Sequence, residues 1–220
     1  MNFYFLLPLL FLILSCGSNT SEDTSSNHGK KQLETTEKPV FLFVGDSLTA
    51  GLGVDIEECF VSLLKKDFDK SNSSWQIKNA GISGESSSGT LARMDWLIAS
   101  KPKMIFLCIG SNDGLRGIPA DTFQKNLKTI IEKILKADIK LILAGVKIPI
   151  NYGLEYTTKI SEIPENLAKE FSLLYYPFLL SGVAARSDLN QDDFVHPNAK
   201  GHKVIYENLK NFFKKNDILE

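Results

Sequence analysis

Histidine is scarce in this chain: three in 220 residues, one of which, His28, lies in a polar stretch near the N-terminus. No pair of histidines or cysteines has metal-ligand spacing, so neither a metal nor any other cofactor is expected. An excess of either charge is also missing. The formal net charge is −1, and residues 39–220 hold equal numbers of acids and bases. That balance argues against nucleic acid or an anionic membrane surface as an electrostatic partner. No internal repeat is apparent, and nothing after residue 39 is low in complexity. The longest apolar run, Phe3 to Leu14, has twelve residues, whereas a membrane-spanning helix needs about 20.

That run has the length of a secretory signal core. Ile13-Leu14-Ser15 then lead into Cys16, a pattern that resembles the lipobox of bacterial lipoproteins. The expectation is a signal peptide over residues 1–15, a lipid on Cys16, and a location in the bacterial cell envelope, anchored to a membrane through that lipid. No Lys or Arg precedes the run, so a plain signal peptide or a short N-terminal anchor remains open. Residues 16–38 are rich in Ser, Thr, Asn, Glu and Lys, with Leu33 the one large apolar residue. Such a stretch buries too little to order itself and reads as a flexible tether. Of the remaining cysteines, Cys108 lies inside an apolar strand-like run and reads as a small buried thiol. An oxidising compartment would still permit Cys59 and Cys108 to pair.

Past Pro39, short apolar runs alternate with longer segments of helical period, the pattern of a parallel sheet covered on both faces. Strands are expected near 40–45, 75–79, 103–109, 139–145 and 173–176. Helices are expected over about 57–68, 88–99, 120–136, 162–170 and 197–213, the third of them starting at Asp121. Residues 39–220 therefore read as one α/β domain with three layers, α/β/α, around a five-stranded parallel sheet. Ligands of such sheets bind beyond the carboxyl ends of the strands.

Four segments fall where chemistry is expected. Gly45-Asp46-Ser47-Leu48 follows the first strand and would present a hydroxyl on a tight turn, though Gly, Asp and Ser also make ordinary turns. A glycine-dense stretch around Gly84 follows the second strand. It suits either close approach of a backbone N–H to a ligand or a turn capped by Ser88. Asn112, after the third strand, either caps a turn or donates to an anion. Asp193 and His196 lie three apart before Pro197, close enough for the carboxylate to reach the imidazole in a tight turn, although a lone histidine is often structural.

Together Gly45-Asp46-Ser47-Leu48, Gly84, Gly110-x-Asn112-Asp113 and Asp193-x-x-His196 resemble, in order, the four blocks of the SGNH (GDSL-type) hydrolases. Leu91 to Leu97 with its Arg93, Asn112 to Gly117, Pro149 to Gly153 and His196-Pro197-Asn198 are similar to the subgroup of bacterial multifunctional thioesterases, lysophospholipases and arylesterases. The resemblance spans about residues 40–210. It implies a flavodoxin-like sheet of order 2-1-3-4-5 and a serine ester hydrolase. Ser47 would be the nucleophile, Asp193 and His196 the rest of the triad, and the Ser47 N–H, Gly84 and Asn112 the oxyanion hole. Three positions depart from the subgroup: Ser111 stands where Gly or Ala is usual, and Phe194-Val195 replaces Gly-Ile. The expected substrate is a small-molecule or lipid ester: apolar residues after Asn151 and in Tyr175 to Val183 either line an acyl groove, which beside a membrane tether suggests a lysophospholipid or another lipid ester, or belong to ordinary core. An O-acetyl esterase acting on envelope polysaccharide is the alternative within this chemistry, and a binding module on a retired hydrolase scaffold lies outside it.

Overall fold

The structure, a computed structural model, describes residues 37–218. The expected signal peptide, Cys16 and nearly all of the expected tether lie outside the described residues.

Five parallel strands form one sheet: β1 (Val40–Gly45), β2 (Gln76–Gly81), β3 (Met104–Cys108), β4 (Lys140–Ala144) and β5 (Leu174–Tyr176). Their spatial order is β2-β1-β3-β4-β5, the order the resemblance implies. The central strands read as unbroken apolar runs because both of their faces are covered; every residue of β3 is buried.

The helices are α1 (Ser47–Ala50), α2 (Phe60–Lys70), α3 (Ser87–Ala99), α4 (Ser111–Leu115), α5 (Ala120–Lys136), α6 (Leu154–Glu170) and α7 (Ala199–Lys215). Helices α2 and α7 pack together on one face of the sheet, and α3, α5 and α6 pack in series on the other. Alternation along β1 points Phe41 and Phe43 to the α7 side. There Phe213 lies 5.5 Å from Phe41, and Phe106 of β3 stacks on Phe43 at 5.3 Å. On the opposite face α5 buries Phe123, Leu127, Ile130, Ile131 and Ile134, one stripe at helical spacing.

Some expectations need correction. Helix α6 starts at Leu154 rather than near residue 162 and carries Pro164 within it. Asp121 lies in the first turn of α5, which begins at Ala120 after Pro119. Ser88 does not cap α3; the Ser87 N–H and hydroxyl both donate instead to the buried carboxylate of Asp113, at 2.8 and 2.5 Å. Cys59 and Cys108 are both buried and unbridged. Burial pushes the Cys108 thiol well above its ordinary range, with the charge of Asp46 adding to the effect.

Candidate active site

The first strand ends at Gly45, and a Cβ there would lie 2.2 Å from Thr49 Oγ1 and 2.7 Å from the Cys108 carbonyl oxygen. Only glycine lets the chain turn this tightly from β1 into α1. Asp46 caps α1 by accepting the Leu48 N–H at 3.0 Å, which places Ser47 at the first helical position. Its N–H is one of the first-turn donors that have no acceptor within the helix. Asp46 is buried, and one of its oxygens has no hydrogen-bond partner among the described residues. Burial raises its carboxyl to about 6, against the pull of the Leu48 N–H.

The loop before α7 closes on itself. Asn190 bridges to Pro197, the Gln191 N–H donates to the His196 carbonyl at 2.8 Å, and the Phe194 N–H donates to the Gln191 carbonyl at 3.0 Å. The Gln191 side chain ties this loop to the turn after α1 by donating to the Leu52 carbonyl at 2.7 Å.

Within the loop, one oxygen of Asp193 accepts the Val195 and His196 N–H groups, each at 2.9 Å, and the other meets His196 Nδ1 at 2.6 Å. Partial burial opposes ionisation of this carboxyl. The His196 N–H, the His196 ring and the Val195 N–H outweigh that burial and hold it at about 2. An ionised carboxylate only accepts, so the ring proton sits on Nδ1 and Nε2 is left to accept from Ser47 Oγ, 2.8 Å away. The structure thus brings Ser47, His196 and Asp193 into one hydrogen-bonded chain.

Asn112, in α4, lines the same pocket as Ser47 and His196. One of its amide protons goes to the Glu85 carbonyl at 3.0 Å, and the second has no acceptor among the described residues. Gly84, adjacent to Glu85, has a positive φ of 78°, and its N–H donates to no acceptor among the described residues. Its turn is held from both sides. Arg116 donates to the Gly84 carbonyl at 2.8 Å. Arg93 pairs with the Glu85 carboxylate at 2.7 and 2.5 Å and also donates to the Ala80 carbonyl.

The pocket above Ser47 has a volume of about 630 Å³, within the range of small-molecule sites. Its walls are mainly apolar: Leu115, Ile148, Pro149, Phe178, Leu180 and Ala184. The Lys147 ammonium also lines it and lies 5.2 Å from the centre of the Phe178 ring. Phe178 and Leu180 fall in the stretch expected to line an acyl groove. The residues after Asn151 do not: Tyr152 and Leu154 border a separate depression beside Pro119, because the chain leaves the Ser47 pocket after Pro149. Sequence reasoning missed Leu115, Lys147 and Ile148, whose side chains carry no pattern distinct from ordinary loop and core.

A sheet of this order, with a serine at the end of its first strand hydrogen-bonded to a His and Asp set before the last helix, is the arrangement of the SGNH serine hydrolases. The chain belongs to the GDSL-like Lipase/Acylhydrolase family, whose model matches residues 43–204. It is 35% identical to Esterase TesA of Pseudomonas aeruginosa over 169 residues, covering 76% of this chain and 84% of the relative. It is 32% identical over 200 residues to Thioesterase 1/protease 1/lysophospholipase L1 of Escherichia coli, covering 90% and 87%. Among solved structures, the psychrotrophic esterase EstA of Pseudoalteromonas, inhibited by monoethylphosphonate, superposes with a TM-score of 0.77. It is 34% identical, and the match covers 80% of this chain and 97% of that one.

Proposed function

We propose that this hydrolase cleaves carboxylic esters and thioesters of apolar acyl chains through an acyl-Ser47 intermediate, while held to a membrane of the bacterial envelope by a lipid on Cys16. The observation that carries the reaction is the hydrogen-bonded chain from Ser47 through His196 to Asp193, opening onto a mainly apolar pocket.

In this reading His196 takes the Ser47 proton as the hydroxyl oxygen attacks the acyl carbon. The carbonyl oxygen becomes an oxyanion between the N–H groups of Ser47 and Gly84 and the Asn112 amide. Asp193 fixes the imidazole tautomer and stabilises the imidazolium. His196 then gives its proton to the departing alcohol or thiol. A water molecule, deprotonated by His196, attacks the acyl-serine and releases the acid, and the proton returns to Ser47.

Relatives named esterase, thioesterase, lysophospholipase and arylesterase support this range of leaving groups. The apolar pocket walls favour a hydrocarbon acyl chain over an O-acetylated sugar. The placement at a membrane rests on the signal-like run and Cys16.

The test is intact-mass analysis after reaction with a fluorophosphonate, beside turnover of p-nitrophenyl esters, for wild type and Ser47→Ala. A single adduct and turnover that both vanish in the variant are expected. A folded wild type that neither labels nor turns over would leave a binding module on a hydrolase scaffold.

A further inference from the structure

Seven non-glycine residues among those described have a positive φ. Five of them, Asn72, Lys101, Asp138, Ser172 and Asp217, come just after the ends of α2, α3, α5, α6 and α7, where a left-handed residue is the ordinary way to stop a helix. Ala185 has only a methyl group to accommodate. Phe194, at φ 57°, is the one large apolar side chain in this conformation, which bulky residues rarely adopt.

The loop dictates the backbone here. Phe194 closes the turn from Gln191 and sits directly between Asp193 and the N–H groups that Asp193 holds. Glycine would satisfy this position without strain. Nor does packing account for the ring: Phe194 is 63% exposed and takes part in none of the ring–ring contacts of the core. It does line the Ser47 pocket, at the rim beside Val195, itself 41% exposed. A large apolar group is therefore held in a strained, wet position at the entrance, where free protein gains nothing from it.

We propose that Phe194 is a specificity-determining residue: its ring is the outer wall of the acyl site and closes over the acyl chain of a bound ester. The ring then leaves water only when a chain long enough to reach the rim fills the pocket, so hydrophobic burial at Phe194 discriminates by chain length. This inference rests on the reading of Ser47 as the acylated nucleophile.

The experiment measures kcat/KM for p-nitrophenyl acetate and octanoate, which share a leaving group, in wild type, Phe194→Gly and Phe194→Leu, with Tm for each. The octanoate-to-acetate ratio is expected to fall about tenfold in Phe194→Gly, the size of effect that small changes in an apolar pocket produce. Phe194→Leu should recover most of it. The Tm of Phe194→Gly should be no lower than that of wild type, because glycine accepts the positive φ, and this separates loss of selectivity from loss of fold. An unchanged ratio in an active Phe194→Gly overturns the inference and leaves the hydrolase reading intact. Absence of turnover by folded wild type overturns both.

Discussion

Asp193 serves its own loop with one oxygen and the imidazole with the other, so the turn and the tautomer are set by the same carboxylate. Asn112 has a similar double duty in the proposed mechanism, since one amide proton anchors it to Glu85 and the other is left for the oxyanion. Asn112→Ala is expected to lower kcat by about 100- to 1000-fold while fluorophosphonate labelling of Ser47 persists at a reduced rate. Steady-state kinetics beside timed mass spectrometry checks both. His202 lies behind the site, stacked on Phe60 and accepting the Phe60 N–H on Nδ1 at 3.3 Å. Burial lowers its pKa to about 4, with the nearby His196 adding to the effect. The unfolded chain binds this proton near 6.5 and the folded one only near 4, so the stability tied to neutral His202 is lost as pH falls through that window. Asp46 runs the other way, since its raised carboxyl favours folding at the acid end. Removing His202 isolates its share: the stability advantage of wild type over His202→Gln should shrink by about 3 kcal/mol between pH 7 and pH 4. Urea denaturation at the two pH values measures it.

At the scale of elements, Ser47 is placed by the contact of β1, β2 and α1. A Cβ on Gly81, in β2, would lie 2.4 Å from the Ala50 backbone nitrogen of α1. Gly81→Ala is therefore expected to push α1 and lower kcat by about 100-fold, the cost of displacing a reacting group by about 1 Å. A Tm that falls with no change in kcat would show that α1 moves as a rigid unit with the sheet. The strands were legible because parallel strands buried on two faces are written as apolar runs, as in Met104 to Cys108. The start of α6 was not, because Gly153 precedes it where a Ser or Asp cap would have announced a helix, and Pro164 reads as a break. Of the candidate site, Ser47, Asn112, Asp193 and His196 could be named from short motifs, and all four line or adjoin one pocket. The capping of α3 by Asp113 spans 26 residues, so no local pattern carries it. The bond from Gln191 to Leu52 spans 139 and is equally invisible in sequence.

The whole molecule joins a balanced, near-neutral charge to an N-terminal sequence that resembles a lipidation signal, so the proposed lipid would be its main attachment to a membrane. Cys16→Ser in the full chain is expected to move the protein from the membrane fraction to the soluble one, with esterase activity per molecule unchanged. Fractionation followed by immunoblotting and p-nitrophenyl ester turnover checks both. Topology also sets when the protein can act. Ser47 and His196 are 149 residues apart, one just past the end of the first strand and the other just ahead of the last helix. On the proposed mechanism, a chain growing from its N-terminus exposes the serine early and acquires a base for it only near the end of synthesis. Until then the hydroxyl is inert, so an unfinished or truncated copy carries no ester-cleaving power wherever it happens to be.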